Sequence, residues 1–306
     1  MPILRSAFLA LSRNSSLRRF SEGSTVGRRI SSRFVAGTSI EDALRCVRTL
    51  NDHGAAATID SLGENVESPE GARAAGEVYH RLLDAIQARG LDANVSVKLT
   101  QMGMGFAPDL ARTITADLVR HAAEAGSFVR IDMEGAEYTQ ATLDLVRQLH
   151  RAPGHGGSVG VVIQAYLYRS EADIAQLIEE KIRVRLCKGA YSEPPEVAFP
   201  EKSEVDANFI RLMKSLLTSG IFHGIATHDE RMIAATLEFS HAQAIHNFEF
   251  QMLYGVRRDL QQSLIKKGHR VRVYVPFGPD WYPYFMRRLA ERPANAVFLA
   301  KNLFRR

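Results

Sequence analysis

In the segment Asn94-Val-Ser-Val-Lys98 the side chains alternate strictly between polar and apolar, and this pattern is the strongest indication of the fold. This alternation indicates a β-strand, since successive side chains of a strand point to opposite faces of the sheet. It recurs in three later segments, which contain Arg130 and Asp132, Arg183 and Arg185, and Arg270, Arg272 and Tyr274. If helices cover the apolar face, the polar face lines the axis of a closed barrel, because a barrel strand has no solvated face. We therefore expect the last polar residue of each strand at the open mouth of the barrel, and these residues are Lys98, Asp132, Arg185 and Tyr274.

Eight segments typical of strands alternate with eight segments typical of helices, after a first helix that starts at Thr38 or Ser39 and runs to Gly54. The strands are predicted at 55–60, 93–99, 128–133, 159–165, 182–188, 222–227, 245–250 and 271–275. The helices are predicted at 69–90, 108–126, 138–150, 170–180, 204–220, 229–240, 256–267 and from Trp281 onward. This count favours a (β/α)₈ TIM-type barrel, with a doubly wound open α/β sheet as the second choice.

The bulk composition is that of a globular protein, with 306 residues of which 45% are apolar. No apolar run reaches the roughly 18 residues that a membrane span needs. The two cysteines, Cys46 and Cys187, cannot form a disulfide framework, so we expect free thiols and a reducing compartment.

The positive charge is concentrated in a basic N-terminal arm, residues 1–33, which precedes a catalytic domain predicted at 34–306. The arm has seven arginines and one acidic residue, Glu22, whereas the rest of the chain carries 32 basic and 33 acidic residues. A neutral body argues against a nucleic-acid groove on it. Leu4, Phe8 and Leu11 have helical spacing in the arm, a composition shared by transit peptides and membrane-surface helices. A loosely packed extension is the simplest interpretation, which leaves a cytoplasmic protein, peripheral membrane attachment and organelle import all open.

The segment Trp281-Tyr-Pro-Tyr-Phe-Met-Arg-Arg-Leu-Ala-Glu-Arg-Pro-Ala-Asn295 follows the last predicted strand. Read as a helix with Asp280 as its N-cap, it places Arg288 on the same stripe as Trp281, Tyr284, Phe285 and Leu289. Glu291 follows Arg287 by four residues and Arg288 by three, so it can accept a hydrogen bond from either guanidinium. An ordinary solvated Arg/Glu pair would give the same pattern. The position beyond a strand's carboxyl end, where barrel enzymes keep their sites, favours a functional role.

Several other chemistries find no support in the motifs. No His-Glu-x-x-His or Cys-x-x-Cys metal motif and no Gly-x-Ser-x-Gly nucleophile elbow occurs. The segment Gly154-His-Gly-Gly-Ser-Val159 lacks the third glycine of a dinucleotide fingerprint, and it precedes a strand instead of following one. A Rossmann domain is therefore excluded, although a dinucleotide could still bind at the barrel mouth.

Polar residues recur at nearly every predicted strand end, as a barrel enzyme requires. They are Lys98, Asp132, Gln164, Arg185, Lys188, Thr227, His228, Asp229, Glu249, Gln251 and Tyr274, followed by Arg287 and Arg288. Each alone has a structural explanation, such as a lysine at the edge of a core or a carboxylate that caps a helix. The four cations Lys98, Arg185, Arg287 and Arg288 favour anionic ligands such as carboxylate and pyrophosphate.

At these residues the chain resembles the proline dehydrogenase family. The matching segments are Phe34-Val-Ala-Gly-Thr, Val95-Ser-Val-Lys98-Leu-Thr, Arg130-Ile-Asp132-Met-Glu, Val162-Ile-Gln164-Ala-Tyr, Arg185-Leu-Cys-Lys188-Gly-Ala-Tyr191, Ala226-Thr227-His228-Asp229, Phe248-Glu-Phe-Gln251-Met-Leu253-Tyr-Gly and the double-arginine segment. The likeness covers roughly residues 34–300. The double-arginine segment after Tyr274-Val-Pro-Phe-Gly is its most specific part.

The resemblance implies a distorted (β/α)₈ barrel with extra N-terminal helices that holds FAD noncovalently and oxidises L-proline to pyrroline-5-carboxylate by hydride transfer. It implies that Arg287 and Arg288 bind the proline carboxylate, that Glu291 pairs with them, and that Gln164, Arg185, Lys188, Thr227 and His228 contact the flavin. It further implies that the substrate pocket is lined by Lys98, Asp132, Tyr191, Leu253 and Tyr274. The family also suggests a membrane quinone as electron acceptor.

Two alternatives belong to other functional classes. One is a barrel aldolase that uses Lys98 or Lys188 as a Schiff base, since lysines at strand ends do serve that chemistry. The other is a non-enzymatic adaptor that binds acidic membranes or nucleic acid through residues 1–33. Flavin absorbance of the purified protein separates the dehydrogenase from both.

Overall fold

A closed barrel of eight parallel strands forms the centre of the molecule. The computed structural model describes Ser24, residues 31–63 and residues 66–291, with side chains as far as Met286. The strands follow one another around the barrel in chain order, and the first pairs with the eighth. The predicted (β/α)₈ fold is therefore confirmed, and the open sheet is excluded.

The bounds of most elements lie within a few residues of the predicted ones. The strands are β1 (Ala56–Ser61), β2 (Ala93–Val97), β3 (Val129–Ile131), β4 (Val159–Gln164), β5 (Arg183–Cys187), β6 (His223–Ala226), β7 (Phe248–Leu253) and β8 (Val271–Phe277). The helices are α1 (Ile40–Asp52), α2 (Pro69–Ala88), α3 (Pro108–Glu124), α4 (Thr139–Arg151), α5 (Ser170–Glu179), α6 (Lys202–Thr218), α7 (Glu230–Ala242), α8 (Arg258–Lys266) and α9 (Trp281–Glu291), with a 3₁₀ turn at Ala136–Tyr138.

The alternation that begins at Asn94 has the predicted consequence. Val95 and Val97 are fully buried, in one cluster with Leu82 of α2 and Leu118 of α3. Ser96, on the opposite face of β2, donates a hydrogen bond toward the barrel axis. The apolar faces of the strands thus pack against the helices, and the polar faces meet inside the barrel.

The first helix starts with a capping box at Ser39. The Ser39 hydroxyl accepts a hydrogen bond of 3.1 Å from the backbone N–H of Asp42, whose carboxylate accepts one of 3.1 Å from the Ser39 N–H. This arrangement satisfies backbone donors that a helix N-terminus leaves without partners. Of the two predicted caps, Thr38 and Ser39, the structure selects Ser39.

The predicted strand 245–250 is wrong by three residues at each end, since β7 spans Phe248–Leu253. Ala244 has a left-handed φ of 53°, and the N–H groups of Ala244 and Ile245 donate to the carbonyls of His241 and Ser240. This is the Schellman arrangement that closes α7, so Ile245 is the apolar residue that follows a helix end. Because Ile245 is apolar and β-branched, the sequence pattern assigned it to the strand instead of to the helix end.

The predicted end of β8 at Val275 is also wrong, because the strand continues through Pro276 to Phe277. Pro276 cannot donate a backbone hydrogen bond. The carbonyls of Pro276 and Phe277 nevertheless accept from the N–H groups of Ala36 and Leu62, at 2.8 Å each. Tyr274 therefore lies three residues before the end of β8.

Helix α9 packs on the segment that begins at Phe34. Trp281 and Phe285 are buried in one cluster with Phe34, whose ring lies 6.1 Å from that of Phe285. Tyr282 and Met286 are buried as well, so the helix is covered on more than the single predicted stripe. The chain before Phe34 passes close to the end of β7, since a methyl group on Gly255 would lie 1.7 Å from the carbonyl oxygen of Arg33. The predicted N-terminal arm lies almost entirely outside the described residues.

Within the described part of the chain, no helix combines the length and apolar character that a transmembrane span requires.

Candidate active site at the barrel mouth

A buried carboxylate, Asp132, organises the carboxyl end of the barrel. It follows β3 directly, and it accepts hydrogen bonds from Ser96 Oγ at 2.5 Å, Arg185 Nη1 at 2.8 Å, Tyr274 OH at 2.7 Å and Lys98 Nζ at 3.3 Å. The four donors come from β2, β5, β8 and the residue after β2. Only the barrel topology brings these sequence positions together.

The surroundings of Asp132 keep it ionised. Burial alone would raise its pKa, but Lys98, Arg185 and the hydrogen bonds from Ser96 and Tyr274 outweigh that effect and hold the pKa below its ordinary value. Burial and then the charge of Asp132 raise the pKa of Tyr274 well above its ordinary value. Tyr274 thus stays protonated and can donate to the carboxylate.

Lys98 contacts a second carboxylate, Asp60 of β1, at 3.1 Å. Its Nζ also lies 3.1 Å from the Tyr274 hydroxyl, and only 11% of its side chain is exposed. Two carboxylates favour the charged ammonium, whereas a Schiff-base lysine must react as the neutral amine. Asp60 was missing from the predicted site, although it is the last polar residue of a predicted strand and pairs with Ser96 across the sheet.

Arg185 is fixed from two sides. Its Nη1 donates to Asp132 and Ser96, and its Nε donates to Gln251 Oε1. Gln251 in turn donates to Glu249 at 2.6 Å, and Glu249 accepts from Arg272 Nε at 2.8 Å. Because β7 runs to Leu253, Glu249 and Gln251 lie inside the barrel and not at the predicted strand end.

Gln164, the last residue of β4, has a side-chain amide that is hydrogen-bonded at only one of its two ends. Its Nε2 donates to the Glu134 carbonyl at 2.8 Å, while its Oε1 is buried and has no hydrogen-bond partner among the described residues. A buried acceptor without a partner is costly unless a ligand supplies a donor. Glu134 itself accepts from the Thr100 backbone N–H at 3.0 Å, a contact that no sequence motif indicated.

Lys188, Thr227 and His228 lie at the ends of β5 and β6. Lys188 Nζ contacts Asp206 and, at 2.7 Å, Asp229. Thr227 Oγ1 accepts from the Asp229 N–H at 3.1 Å, and His228 Nε2 accepts from the Leu253 N–H at 2.9 Å. These residues form a second polar group beside β5, in which Lys188 is paired with two carboxylates.

Two predicted pocket residues lie at the margin of the site. Tyr191 is 40% exposed, on the segment between β5 and α6. That segment is anchored by Glu193, whose Oε1 accepts from the Ala136 N–H at 2.9 Å and from Tyr166 OH at 3.4 Å. Leu253, the last residue of β7, packs on the aromatic cluster of α9.

Arg287, Arg288 and Glu291 all belong to α9, the helix that follows β8 at this end of the barrel. Arg288 comes one turn after Phe285, which is buried. Their side chains lie outside the described part of the structure, so the predicted carboxylate fork stays a prediction.

Comparison with known proteins places this geometry in a family. A sequence model of the family described as proline dehydrogenase matches residues 43–301. Proline dehydrogenase 1 of Bacillus subtilis (strain 168) is 42% identical over 308 residues, which cover 99% of this chain and all of the relative. The proline dehydrogenase of Deinococcus radiodurans is 42% identical over 283 residues, or 90% of each chain. Among solved structures, proline utilization A of Bdellovibrio bacteriovorus, inactivated by N-propargylglycine, is similar with a TM-score of 0.84 and 26% identity. That match covers 99% of this chain and 38% of the longer protein.

Proposed function

The chain belongs to the proline dehydrogenase family, and from this premise we propose how its barrel mouth oxidises proline. It is an enzyme of proline catabolism. In the proposed reaction L-proline loses a hydride from C5 and a proton from its nitrogen, which leaves the C5=N double bond of pyrroline-5-carboxylate. FAD, the cofactor of the family, accepts the hydride when it is bound.

The residues at the strand ends fit a flavin. The buried Oε1 of Gln164 needs a donor, which an N–H group of a flavin ring would supply. Arg185 presents a fixed guanidinium held by Asp132 and Gln251, and Lys188, Thr227 and His228 lie on the neighbouring strand ends. Cationic and backbone donors of this kind hold pyrophosphate without a Rossmann fold.

The substrate would lie between this group and α9. Arg287 and Arg288 would bind its carboxylate as a bidentate fork, which fixes the ring in one orientation. Glu291 would hold the fork through contacts at helical spacing. Tyr191 and Leu253 would close the sides of the pocket, since they flank it on the segments after β5 and at the end of β7.

The observation that carries the proposal is the cluster of Lys98, Asp132, Arg185 and Tyr274. Its carboxylate is buried and ionised, and its lysine is held by two acids. A charged Lys98 beside the substrate nitrogen disfavours a protonated substrate amine, and it stabilises negative charge that develops nearby. Hydride transfer depends mainly on how the substrate is oriented toward the acceptor. The reaction therefore needs correct positioning of proline more than a general acid or base.

The electron acceptor and the location complete the proposal. We assign a membrane quinone as acceptor, and we assign attachment to an anionic membrane surface to the seven arginines of residues 1–33. The remainder of the chain is close to neutral, which agrees with a small zwitterionic substrate and argues against a nucleic-acid groove on the body.

The direct test is the absorption spectrum of the purified protein before and after L-proline is added. The proposal expects a flavin band that bleaches with proline and does not bleach with pyrrolidine, which lacks the carboxylate. It also expects inactivation by N-propargylglycine, the compound that inactivated the Bdellovibrio relative. A colourless protein that takes up no FAD on reconstitution would exclude the proposed mechanism.

A further inference from the structure

The opposite end of the barrel, where the strands begin, contains a group of arginines that the proposed reaction does not use. We call it the amino-end arginine cluster, and it consists of Arg130, Arg183, Arg270 and Arg272. Arg183 is the first residue of β5, and Arg270 directly precedes β8. Arg130 is buried, Arg183 and Arg272 are half-buried, and Arg270 is exposed, so the cluster extends from the barrel interior to solvent.

The cluster has more positive charge than its described acidic neighbours neutralise. Its one buried carboxylate is Glu249, which accepts from Arg272. Asp92 lies 3.8 Å from Arg272, but 67% of its side chain is exposed. Glu249 is also shared with Gln251. Four guanidinium groups therefore face one buried and one solvated carboxylate.

Two aromatic rings hold the guanidinium groups in place. The guanidinium carbons of Arg130 and Arg183 lie 4.8 and 4.5 Å from the centre of the Phe128 ring. Those of Arg183 and Arg270 lie 4.9 and 5.1 Å from the centre of the Phe222 ring. Such contacts orient arginines and stabilise them modestly, but they leave N–H donors available at the edges of each fork.

The donors of the cluster are only partly used within the protein. Arg130 Nη1 donates to the carbonyls of Val161 and Arg183, at 3.1 and 2.6 Å. These neutral acceptors fix the side chain without balancing its charge. Arg183 Nε is buried and has no hydrogen-bond partner among the described residues, an arrangement that leaves a charged donor unsatisfied.

Burial, and after it the neighbouring positive charges, shift the ionisation of two groups in this region. Burial, followed by repulsion from Arg185 and Arg183, lowers the pKa of Arg130 well below its ordinary value. Burial, Arg130 and Arg183 lower the pKa of His223 to about 3, so this histidine stays neutral and adds no further charge.

We propose that the amino-end arginine cluster is a binding site for a small dianionic oxyanion, of which inorganic phosphate and phosphate monoesters are the matching class. Planar guanidinium forks bind tetrahedral oxyanions through paired, charge-assisted hydrogen bonds. At least two uncompensated positive charges match a dianion better than a monocarboxylate or chloride. The site is separate from the proline site, because it lies where the strands begin and the proline site lies where they end.

The test is isothermal titration of the full-length, flavin-loaded enzyme with inorganic phosphate, at an ionic strength held constant with sodium chloride. We expect saturable binding of one phosphate per chain, binding of sulfate of similar strength, because it is also a tetrahedral dianion, and none of acetate. Because a charge-assisted hydrogen bond contributes about 1.5 to 3 kcal/mol, Arg270→Gln should raise the Kd roughly tenfold or more. Arg183→Gln should raise it further.

Arg270 is exposed, so its replacement should leave the fold intact, and circular dichroism of each variant checks this directly. The matched control is Arg112→Gln on α3, since Arg112 is an exposed arginine paired with an exposed Asp109. This control should bind phosphate like the wild type. The proposal is overturned if the wild type binds no phosphate at tens of millimolar, or if folded Arg270→Gln and Arg183→Gln variants both bind it as tightly as the control. The second outcome would place the phosphate elsewhere, for example at the barrel mouth.

Discussion

Replacement of Asp132 by asparagine is the sharpest test of the charge arrangement at the barrel mouth. The carboxylate accepts from two donors at each oxygen: Ser96 and Arg185 at Oδ1, and Lys98 and Tyr274 at Oδ2. Asparagine has the same shape, but one of its two ends is an amide NH₂ group. At that end the NH₂ group faces one cation and one hydroxyl, so the hydrogen bond from the cation is lost, while the hydroxyl can turn and accept.

The expected cost follows from the kind of hydrogen bond that is lost. Removal of one partner from a buried ion pair destabilises a protein by about 3 to 5 kcal/mol, because the remaining charge stays buried. Here Lys98 retains Asp60 and Arg185 retains Gln251, so the lower half of that range applies, about 3 to 4 kcal/mol. The control is Glu124→Gln, which removes an exposed partner of Arg120 and should cost less than about 1 kcal/mol.

The assay is urea unfolding at pH 7, with the free energy of unfolding obtained from the linear dependence on urea. The pH dependence adds a second check. The pKa of Asp132 is lowered in the folded protein, so its stabilising contribution is present above the unfolded pKa of about 3.9 and is lost as pH falls through the folded pKa. The difference between wild type and Asp132→Asn should therefore be constant from pH 7 to 5 and shrink below about pH 4. A difference under 1 kcal/mol at pH 7, with unchanged slopes, would refute the assignment of Asp132 as the organising charge.

Four further outcomes are expected. Arg288→Met should leave flavin bound but lower kcat/KM for proline by roughly ten- to several-hundred-fold, without rescue by Arg288→Lys, and unchanged kinetics would remove the carboxylate fork from the proposal. A shortened chain that begins at Arg33 should keep turnover with a soluble dye while it binds anionic vesicles less, most clearly at low salt; loss of turnover in a folded protein would contradict this. Because the pKa of His223 falls to about 3 in the folded protein against about 6.5 unfolded, stability should drop by about 1.4 kcal/mol per unit as pH falls below 6.5, and His223→Asn should flatten that slope in urea unfolding. Borohydride should trap no adduct at Lys98 with any carbonyl compound, and a trapped adduct would restore the aldolase interpretation.

The barrel could be predicted from the sequence because polar and apolar residues alternate along several of its strands. In β2, β3, β5 and β8 the inward face is polar and the outward face is apolar, with a period of two residues. The two boundary errors arose where tertiary contacts replace the local signal. Ile245 ends a helix through backbone hydrogen bonds, and Pro276 stays in a strand because the pairing of β8 with β1 continues to Phe277.

The candidate site was predictable where chemistry coincides with a strand end, as for Lys98 and Asp132. Asp60 could have been found by the same rule, since it ends the first predicted strand. The contact of Arg185 with Gln251 depends on the register between β5, β6 and β7, which periodicity does not fix. The proposed carboxylate-binding role of Arg287 and Arg288 still rests mainly on the sequence pattern.

The hydrogen bonds from Arg272 through Glu249, Gln251 and Arg185 to Asp132 run along the barrel axis. An attempt to make this enzyme more heat-resistant by filling the barrel centre with larger aliphatic side chains would meet a polar network whose members depend on one another. Replacement of one residue of this network by an aliphatic residue leaves its neighbours buried without a hydrogen-bond partner. Replacement of all of them removes the hydrogen bonds that hold Arg185 in place. Thermostabilisation should therefore be directed at the outer layer, where α2 and α3 pack on the strands and aliphatic substitutions can be made one at a time.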